Sequence, residues 1–154
     1  MRLTTFTDYA LRVLLHVATA PGRRTTIAAI ASAYGISANH LVKVVHLLGK
    51  EGFLYNIRGR RGGLTLAASP SAINVGAVVR ATEGPSLLAE CFGPGGRCAI
   101  ESSCRLQRVL READEAFFEV LDRYTLQDLL ARPARMVAIL HPEFPEITVP
   151  GVPR

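Results

Sequence analysis

The chain lacks the features that would place it in a membrane or outside the cytoplasm. Among its 154 residues, no apolar run approaches the roughly 20 residues that a membrane-spanning helix requires. We therefore expect no membrane partner. The first residues do not have the form of a signal peptide, because Asp8 and Arg12 interrupt the apolar stretch early. These absences predict a cytoplasmic protein, in which thiols stay reduced and available to bind metal.

Lysine is nearly absent and cysteine is rare. Lys43 and Lys50 are the only lysines, so arginine supplies most of the positive charge behind the formal net charge of +5. An arginine-rich basic surface suits phosphate binding. Only three cysteines are present, and an odd number argues against a disulfide framework.

A catalytic constellation is also missing from the sequence. The chain has four histidines, none of them close in sequence to the cysteines, and no nucleophile–base signature accompanies them. With 49% hydrophobic residues the chain has material for a core, and its length predicts one domain or a small domain with an appendage. We therefore expect a binding protein rather than an enzyme.

The first fifty residues predict a helix-turn-helix layout. A first helix from about residue 8 to 19, capped by Thr7, precedes a short second helix that ends at Gly35. Ser37 then begins a third helix after only about three residues, as in a helix-turn-helix unit.

The third predicted helix has two distinct faces. Its apolar residues recur at i, i+3, i+4 and i+7, which predicts a stripe that faces the core: these are Leu41, Val44, Val45 and Leu48. The opposite stripe carries side chains that hydrogen-bond base edges or phosphates: Asn39, Lys43, His46 and Lys50, with His40 beside them. An ordinary solvated face is the alternative interpretation.

A basic hairpin is predicted to follow. Two short β-prone runs between Phe53 and Leu66 flank a turn rich in glycine and arginine. Such a tip can settle against phosphates or a minor groove. The sequence therefore predicts a winged helix-turn-helix that binds double-stranded DNA, formed by residues 1–68. The predicted DNA contacts are Ser37, Asn39, His40, Lys43, Arg58, Arg60 and Arg61.

All three cysteines lie within one stretch, at Cys91, Cys98 and Cys104. Glycines and a proline between the first two allow the backbone to fold back, so that the thiols converge. Three thiols grip one face of a metal ion or cluster but leave a fourth position open. Their spacing does not choose between zinc and iron–sulfur. A stray disulfide with one cysteine left over, or three unrelated buried thiols, are the alternatives.

The second half of the chain predicts a helical region over residues 69–130. A helix from Asn74 to Glu83 precedes the cysteines, and a longer helix from about Ser103 to Tyr124 follows them. The longer helix carries a heptad-like apolar seam: Leu106, Leu110, Ala113, Phe117, Val120 and Tyr124. This seam predicts a homodimer, because helix-turn-helix proteins usually read two half-sites of a palindromic operator. Packing within one chain is the alternative. Residues 131–154 are expected to form an irregular tail.

Several motifs together resemble the Rrf2 family of winged-helix regulators, over about residues 1–130. They are Thr7-Asp-Tyr-Ala-Leu-Arg12, Asn39-His-Leu-Val-Lys43, Arg58-Gly-Arg-Arg-Gly-Gly63 and the three-cysteine stretch. The resemblance implies a mainly α fold with a small β-hairpin and a long dimerisation helix. It also implies a repressor with an iron–sulfur cluster, held by the three cysteines and by Asp8 of the partner subunit. The same Asp8 could instead pair with Arg12 one turn on.

Within the family, Asp8 and the Asn39-His40-Leu41 start of the third helix most resemble the nitric-oxide-sensing branch. Gln107 stands where the cluster-assembly branch has a histidine. The stretch from Glu90 to Leu130 also resembles the iron-responsive branch. We therefore predict a nitric-oxide-sensing repressor, with a 4Fe–4S cluster favoured over a 2Fe–2S cluster. The alternatives are an iron-responsive repressor on the same scaffold and a protein with a purely structural zinc ion.

Overall fold

A computed structural model describes residues 2–20, 24–57, 59, 62–85, 92, 98–100, 103–130 and 133–142. These residues form six α-helices and one antiparallel hairpin, which confirms the predicted fold class. The helices are α1 (Thr5–Ala18), α2 (Ile27–Tyr34), α3 (Ala38–Lys50), α4 (Val75–Glu83), α5 (Arg105–Asp122) and α6 (Pro133–Leu140). The strands are β1 (Leu54–Ile57) and β2 (Gly63–Leu66). Within the described ranges, no helix has the length and apolar character needed to span a membrane.

The start of α1 differs from the prediction. Thr4, not Thr7, caps the helix, because the Thr4 side-chain oxygen accepts the backbone N–H of Thr7 at 3.3 Å. Thr7 is fully buried, and its hydroxyl donates to the Thr82 hydroxyl of α4 at 2.9 Å. The expectation that Thr7 caps the helix was therefore wrong: Thr7 lies inside the helix and joins it to α4.

The turn between α2 and α3 agrees with the predicted helix-turn-helix. Gly35 ends α2 with φ of 64°, a left-handed conformation that glycine adopts without steric cost. Ser37 occupies the N-cap position of α3, where its carbonyl oxygen accepts the N–H groups of His40 and Leu41. The Ser37 side chain makes no capping hydrogen bond, so its hydroxyl is available for other contacts.

One hydrophobic core joins α1, α2, α3 and the hairpin. Leu14, Ile30 and Leu48 are fully buried, and Leu54 and Leu64 bring the two strands into the same cluster. The predicted stripe of α3 is confirmed, since all four of its residues are buried. Burying a Val or Leu side chain completely stabilises a fold by about 1.5–3 kcal/mol. The core therefore fixes α3 with its opposite face outward.

The hairpin is attached to the helical unit by backbone hydrogen bonds. In its register Leu54 lies opposite Leu66 and Ile57 opposite Gly63. Thr25 forms a bridge to Leu64, with the Leu64 N–H donating to the Thr25 carbonyl at 2.7 Å. A Cβ at Gly63 would lie 2.8 Å from that carbonyl, so only glycine fits here. These contacts hold the wing beside the helix-turn-helix.

Helix α4 connects the winged-helix unit to α5. Asn74 caps α4 and its side-chain amide donates to the Asp122 carbonyl at 2.8 Å. Arg80 binds both carboxylate oxygens of Asp122 at 2.6 Å and lies over the Phe118 ring. The hydrogen bonds from Arg80 lower the pKa of Asp122 below its usual value. Because α4 also packs on α1, it is a direct link between the two parts of the chain.

The prediction of an irregular tail was wrong for residues 133–142. Pro133 begins α6, a position where its missing N–H costs nothing. Val137, Leu140 and His141 are buried, at the i, i+3, i+4 spacing of a helix that packs on a core. The His141 ring contacts the His16 ring, with centroids 4.3 Å apart. The C-terminal helix therefore packs against the winged-helix unit. The boundaries predicted at residues 68 and 130 stay predictions.

Candidate nucleic-acid interface and cluster site

The outer face of α3 is a polar surface near the helix N-terminus. The predicted contact residues Ser37, Asn39, His40 and Lys43 are all exposed, and His46 and Lys50 continue the surface. The helix itself contains no acidic residue. Hydrogen-bonding groups at its start and positive charge along its length match what a duplex groove offers.

Helix α1 contacts the start of α3 through an aromatic pair. The Tyr9 and His40 ring centroids lie 6.5 Å apart, with a 31° angle between the ring planes. Tyr9 follows Asp8 directly in the sequence. Tyr9, just after the first turn of α1, thus lies next to one of the predicted DNA-contact residues, so a shift of the start of α1 would reach the recognition helix.

Asp8 forms an ion pair within its own helix. Its carboxylate oxygens contact the Arg12 guanidinium at 2.8 and 3.0 Å. Arg12 also lies over the Tyr34 ring of α2, 5.7 Å from the centroid. Burial raises the pKa of Tyr34 to about 12, although the nearby Arg12 opposes the shift. The sequence left two roles open for Asp8, and in this structure Asp8 pairs with Arg12. The role as ligand to a partner's cluster stays a prediction.

The other end of this first turn is anchored on α4. The Thr4 backbone N–H donates to a Glu83 carboxylate oxygen at 2.7 Å, and the Thr4 hydroxyl donates to the same oxygen. Burial of Glu83 raises its pKa, but hydrogen bonds from Thr7 and Thr4 outweigh burial and bring the pKa below its usual value. The start of α1, which carries Asp8, is therefore bound to α4 through Thr4 and contacts α3 through Tyr9.

Two of the three cysteines are described, and both are free thiols. Cys98 is exposed, and Cys104 is half-buried at the N-cap of α5, where its Sγ accepts the Gln107 N–H at 3.4 Å. Phe92 lies 5.5 Å from the Arg111 guanidinium of α5. Phe92, near the start of the cysteine stretch, and Cys104, at its end, therefore both lie next to α5. Free, reachable thiols are the donor chemistry that an iron–sulfur cluster requires, so these residues fit such a group.

Three of the predicted site residues in the wing and one cysteine lie outside the described residues: Arg58, Arg60, Arg61 and Cys91. Among the residues that the structure does describe, no three His, Cys, Asp or Glu side chains come together as a metal site. The complete ligand set and the wing contacts therefore stay predictions.

The exposed apolar face of α5 differs in phase from the predicted seam. Leu106, Val120 and Tyr124 are exposed as predicted, but Leu110 and Phe117 are half-buried. Val109, three residues after Leu106, is exposed and occupies the position in the stripe that was predicted for Leu110. The exposed stripe is Leu106, Val109, Ala113, Ala116, Val120 and Tyr124. No residue of α5 is buried in the isolated chain. Sequence periodicity alone did not separate this stripe from the side that packs on α4.

The fold and this surface define a winged-helix transcriptional regulator. The chain belongs to the Rrf2 family: its residues 3–132 match the family model described as an iron-dependent transcriptional regulator. The chain is therefore a regulator of transcription and not an enzyme, as the sequence predicts.

Named relatives are similar over most of the chain. The HTH-type transcriptional regulator NsrR of Geobacillus kaustophilus is 49% identical over 142 residues, which cover 91% of this chain and 97% of that protein. NsrR of Bacillus subtilis is 45% identical with the same coverage. The resemblance to the NsrR branch is thereby confirmed.

Solved structures have the same architecture. CymR, the global cysteine regulator of B. subtilis, is 30% identical with a TM-score of 0.64, covering 84% of this chain and 95% of that one. IscR of T. potens is 27% identical with a TM-score of 0.65, covering 84% and 86%.

Proposed function

We propose that this chain is a homodimeric repressor that binds a palindromic operator and releases it in response to nitric oxide, which it senses through an iron–sulfur cluster. The observation that carries the proposal is the first turn of α1. Asp8, the predicted ligand, and Tyr9, which contacts the recognition helix at His40, are adjacent in it. One turn of helix thus joins the predicted sensing site to the DNA-binding face.

The DNA contact is the outer face of α3. In helix-turn-helix proteins the N-terminal part of the recognition helix enters the major groove. Asn39 and His40 supply hydrogen-bonding groups to base edges there, and Lys43 and Lys50 supply charge to phosphates. The wing arginines Arg58, Arg60 and Arg61 add phosphate or minor-groove contacts.

The dimer contact is the exposed apolar stripe of α5. Five aligned apolar residues on an 18-residue helix, continued by Tyr124 just beyond its end, would lie in water in an isolated chain. Such a stripe is typical of a helix that packs against a second copy. A two-fold pair of α5 helices would set the distance between two recognition helices.

Cys91, Cys98 and Cys104, with Asp8 of the partner subunit, would hold the cluster, for which the four-iron form is favoured. When bound, such a cluster supplies iron atoms with which nitric oxide reacts. Cys104 is the N-cap residue of α5, so its thiol lies at the start of the proposed dimer helix. A change in ligation at Cys104 would therefore act on α5 itself.

Arg12 would change its contacts when Asp8 binds the cluster of the partner subunit. In this structure its guanidinium binds Asp8 and lies over Tyr34 of α2. An Asp8 carboxylate engaged as a ligand would leave Arg12, which would then change its contact with the helix-turn-helix. The two states would differ in the position of the α1 turn beside His40. Allosteric coupling of this kind amounts to about a 5–150-fold change in affinity.

An operator gel shift on anaerobically purified protein tests the proposal. We expect tight binding without nitric oxide and binding weaker by a factor in that range with it. Unchanged binding would overturn nitric-oxide sensing. Absorbance spectra with iron, sulfide and zinc analysis on the same sample distinguish an iron–sulfur cluster from a structural zinc ion. Colourless protein with stoichiometric zinc would exclude the cluster.

An iron-responsive repressor is the second candidate. The family description as an iron-dependent regulator favours it. Operator binding that follows iron chelation and ignores nitric oxide would select this candidate over the first.

A further inference from the structure

Exposed large apolar side chains are rare in the winged-helix unit. Among the described residues from 2 to 68, only Val42 and Tyr55 belong to this class, with 52% and 61% of their surface exposed. Val42 lies in α3 and Tyr55 in β1, the recognition helix and the wing. Apolar exposure in this unit is therefore concentrated on the two elements that the proposed function assigns to DNA.

Val42 lies at the edge of the outer face of α3. Asn39 precedes it by three residues and His46 follows it by four, so all three lie on one side of the helix. Lys43 is its immediate neighbour. The surface therefore has an exposed aliphatic side chain next to hydrogen-bonding and charged groups.

The chain's own packing covers only part of Val42. The neighbouring residues Leu41, Val44 and Val45 are buried in the core, whereas Val42 keeps 52% of its surface exposed. Valine is also a weaker helix former than alanine, lysine or glutamate, which an exposed helix position would otherwise favour. A second surface that packs against Val42 would account for an aliphatic side chain here.

We propose that Val42 is a specificity-determining residue that packs against the 5-methyl group of a thymine in the major groove. This inference rests on the proposed DNA-binding function and deepens it. Thymine carries the one apolar group on the major-groove edge of the four bases, and apolar side chains contact it. Asn39, Lys43 and His46 fix the helix against the neighbouring polar atoms and phosphates. The operator half-site therefore contains a required thymine opposite Val42.

The test uses full-length protein, purified anaerobically, and duplexes that the protein itself enriches from a random pool. Each thymine shared by the enriched duplexes is replaced in turn by deoxyuridine, which removes only the methyl group. We expect one thymine in each half-site at which the replacement weakens binding about threefold to fivefold, the effect of one buried methyl group. In Val42→Ala the duplexes with thymine and deoxyuridine at that position should bind equally.

Ile139→Ala is the matched control. Ile139 is an aliphatic residue of α6 with 64% of its surface exposed, outside the winged-helix unit. This variant should keep the wild-type difference between thymine and deoxyuridine. Circular dichroism checks that Val42→Ala is folded, which we expect because the site is exposed and alanine favours helix.

The outcomes separate this inference from the proposed function. Enrichment of a defined duplex together with no thymine that responds to deoxyuridine overturns the role of Val42 and leaves DNA binding intact. A responding thymine whose difference persists in Val42→Ala also overturns it. Failure to enrich any duplex overturns DNA recognition itself, and the thymine contact with it.

Discussion

The winged-helix unit and α5 place their apolar residues in opposite ways. Helix α3 buries its apolar stripe in a core shared with α1, α2 and the hairpin, and leaves a polar face outward. Helix α5 exposes its apolar stripe and is held to the rest of the chain mainly through α4, by contacts such as Arg80 with Asp122. The first region is complete within one chain, whereas the second has a surface that a second copy would complete.

The largest effect on stability is expected from a cavity in the core of the winged-helix unit. Leu14→Ala should lower the free energy of unfolding by about 2–5 kcal/mol, because Leu14 is fully buried and its loss leaves a cavity. Urea denaturation at fixed protein concentration measures the loss. Leu129→Ala, at a partly exposed position outside both regions, should cost less than about 1 kcal/mol. Equal losses of unfolding free energy in the two variants would contradict the conclusion that the winged-helix unit has its core within one chain.

A charge on the exposed stripe of α5 should break the dimer and leave the protomer folded. Leu106 is 63% exposed in one chain, so glutamate is tolerated there by the protomer but would be buried unpaired at the interface. Sedimentation of Leu106→Glu should give the monomer, with helical circular dichroism retained. Leu129→Glu introduces the same charge off the stripe and should remain dimeric. A dimeric Leu106→Glu variant would remove α5 from the interface.

A smaller effect is expected when one charge is removed from the face of α3. Lys43→Gln should weaken operator binding for every sequence and lower the salt slope of binding by about one per protomer, because one phosphate contact is lost. Titrations at several salt concentrations measure the slope. Arg123→Gln removes an equal charge from an exposed position beyond α5 and should leave the slope unchanged. An unaltered slope in Lys43→Gln would mean that Lys43 does not contact phosphate.

The smallest effect concerns the link between the regions. Because Arg80 lowers the pKa of Asp122, this carboxylate contributes stability above its unfolded pKa, and the contribution is lost as pH falls below about 4. Wild-type stability should therefore fall more steeply in acid than that of Asp122→Asn. Thermal unfolding from pH 6 to pH 3 compares the two slopes. Parallel curves would show that the Arg80 pair does not couple to folding.

Features set by neighbours in sequence were predictable, and features set by distant contacts were not. The buried stripe of α3 and the glycine turn at Gly35 follow from local periodicity and backbone geometry. The cap at Thr4 could not be separated from Thr7 without α4, which takes the Thr7 hydroxyl. Helix α6 was missed because prolines around it obscured a short i, i+3, i+4 pattern.

The candidate site follows the same rule. The polar residues of α3 and the cysteines could be predicted as site residues because they stand in recognisable motifs, and their roles stay predictions. Val42 was not found, since an aliphatic residue in a helix is usually part of the core, and only its exposure in the folded chain indicates otherwise. The Asp8–Arg12 pair was one of the two roles that the sequence left open for Asp8. The contact of Arg12 with Tyr34 of α2 could not be predicted, because it depends on how α1 and α2 pack.

The most direct test of the account is the operator affinity of Cys104→Ser compared with wild type, before and after nitric oxide. Serine is itself a good N-cap, so the variant should keep α5 intact while it removes one sulfur ligand. We predict that wild-type protein binds tightly and loses affinity on treatment, and that Cys104→Ser binds weakly in both conditions. Affinity and response equal to those of wild type in the variant would contradict the account.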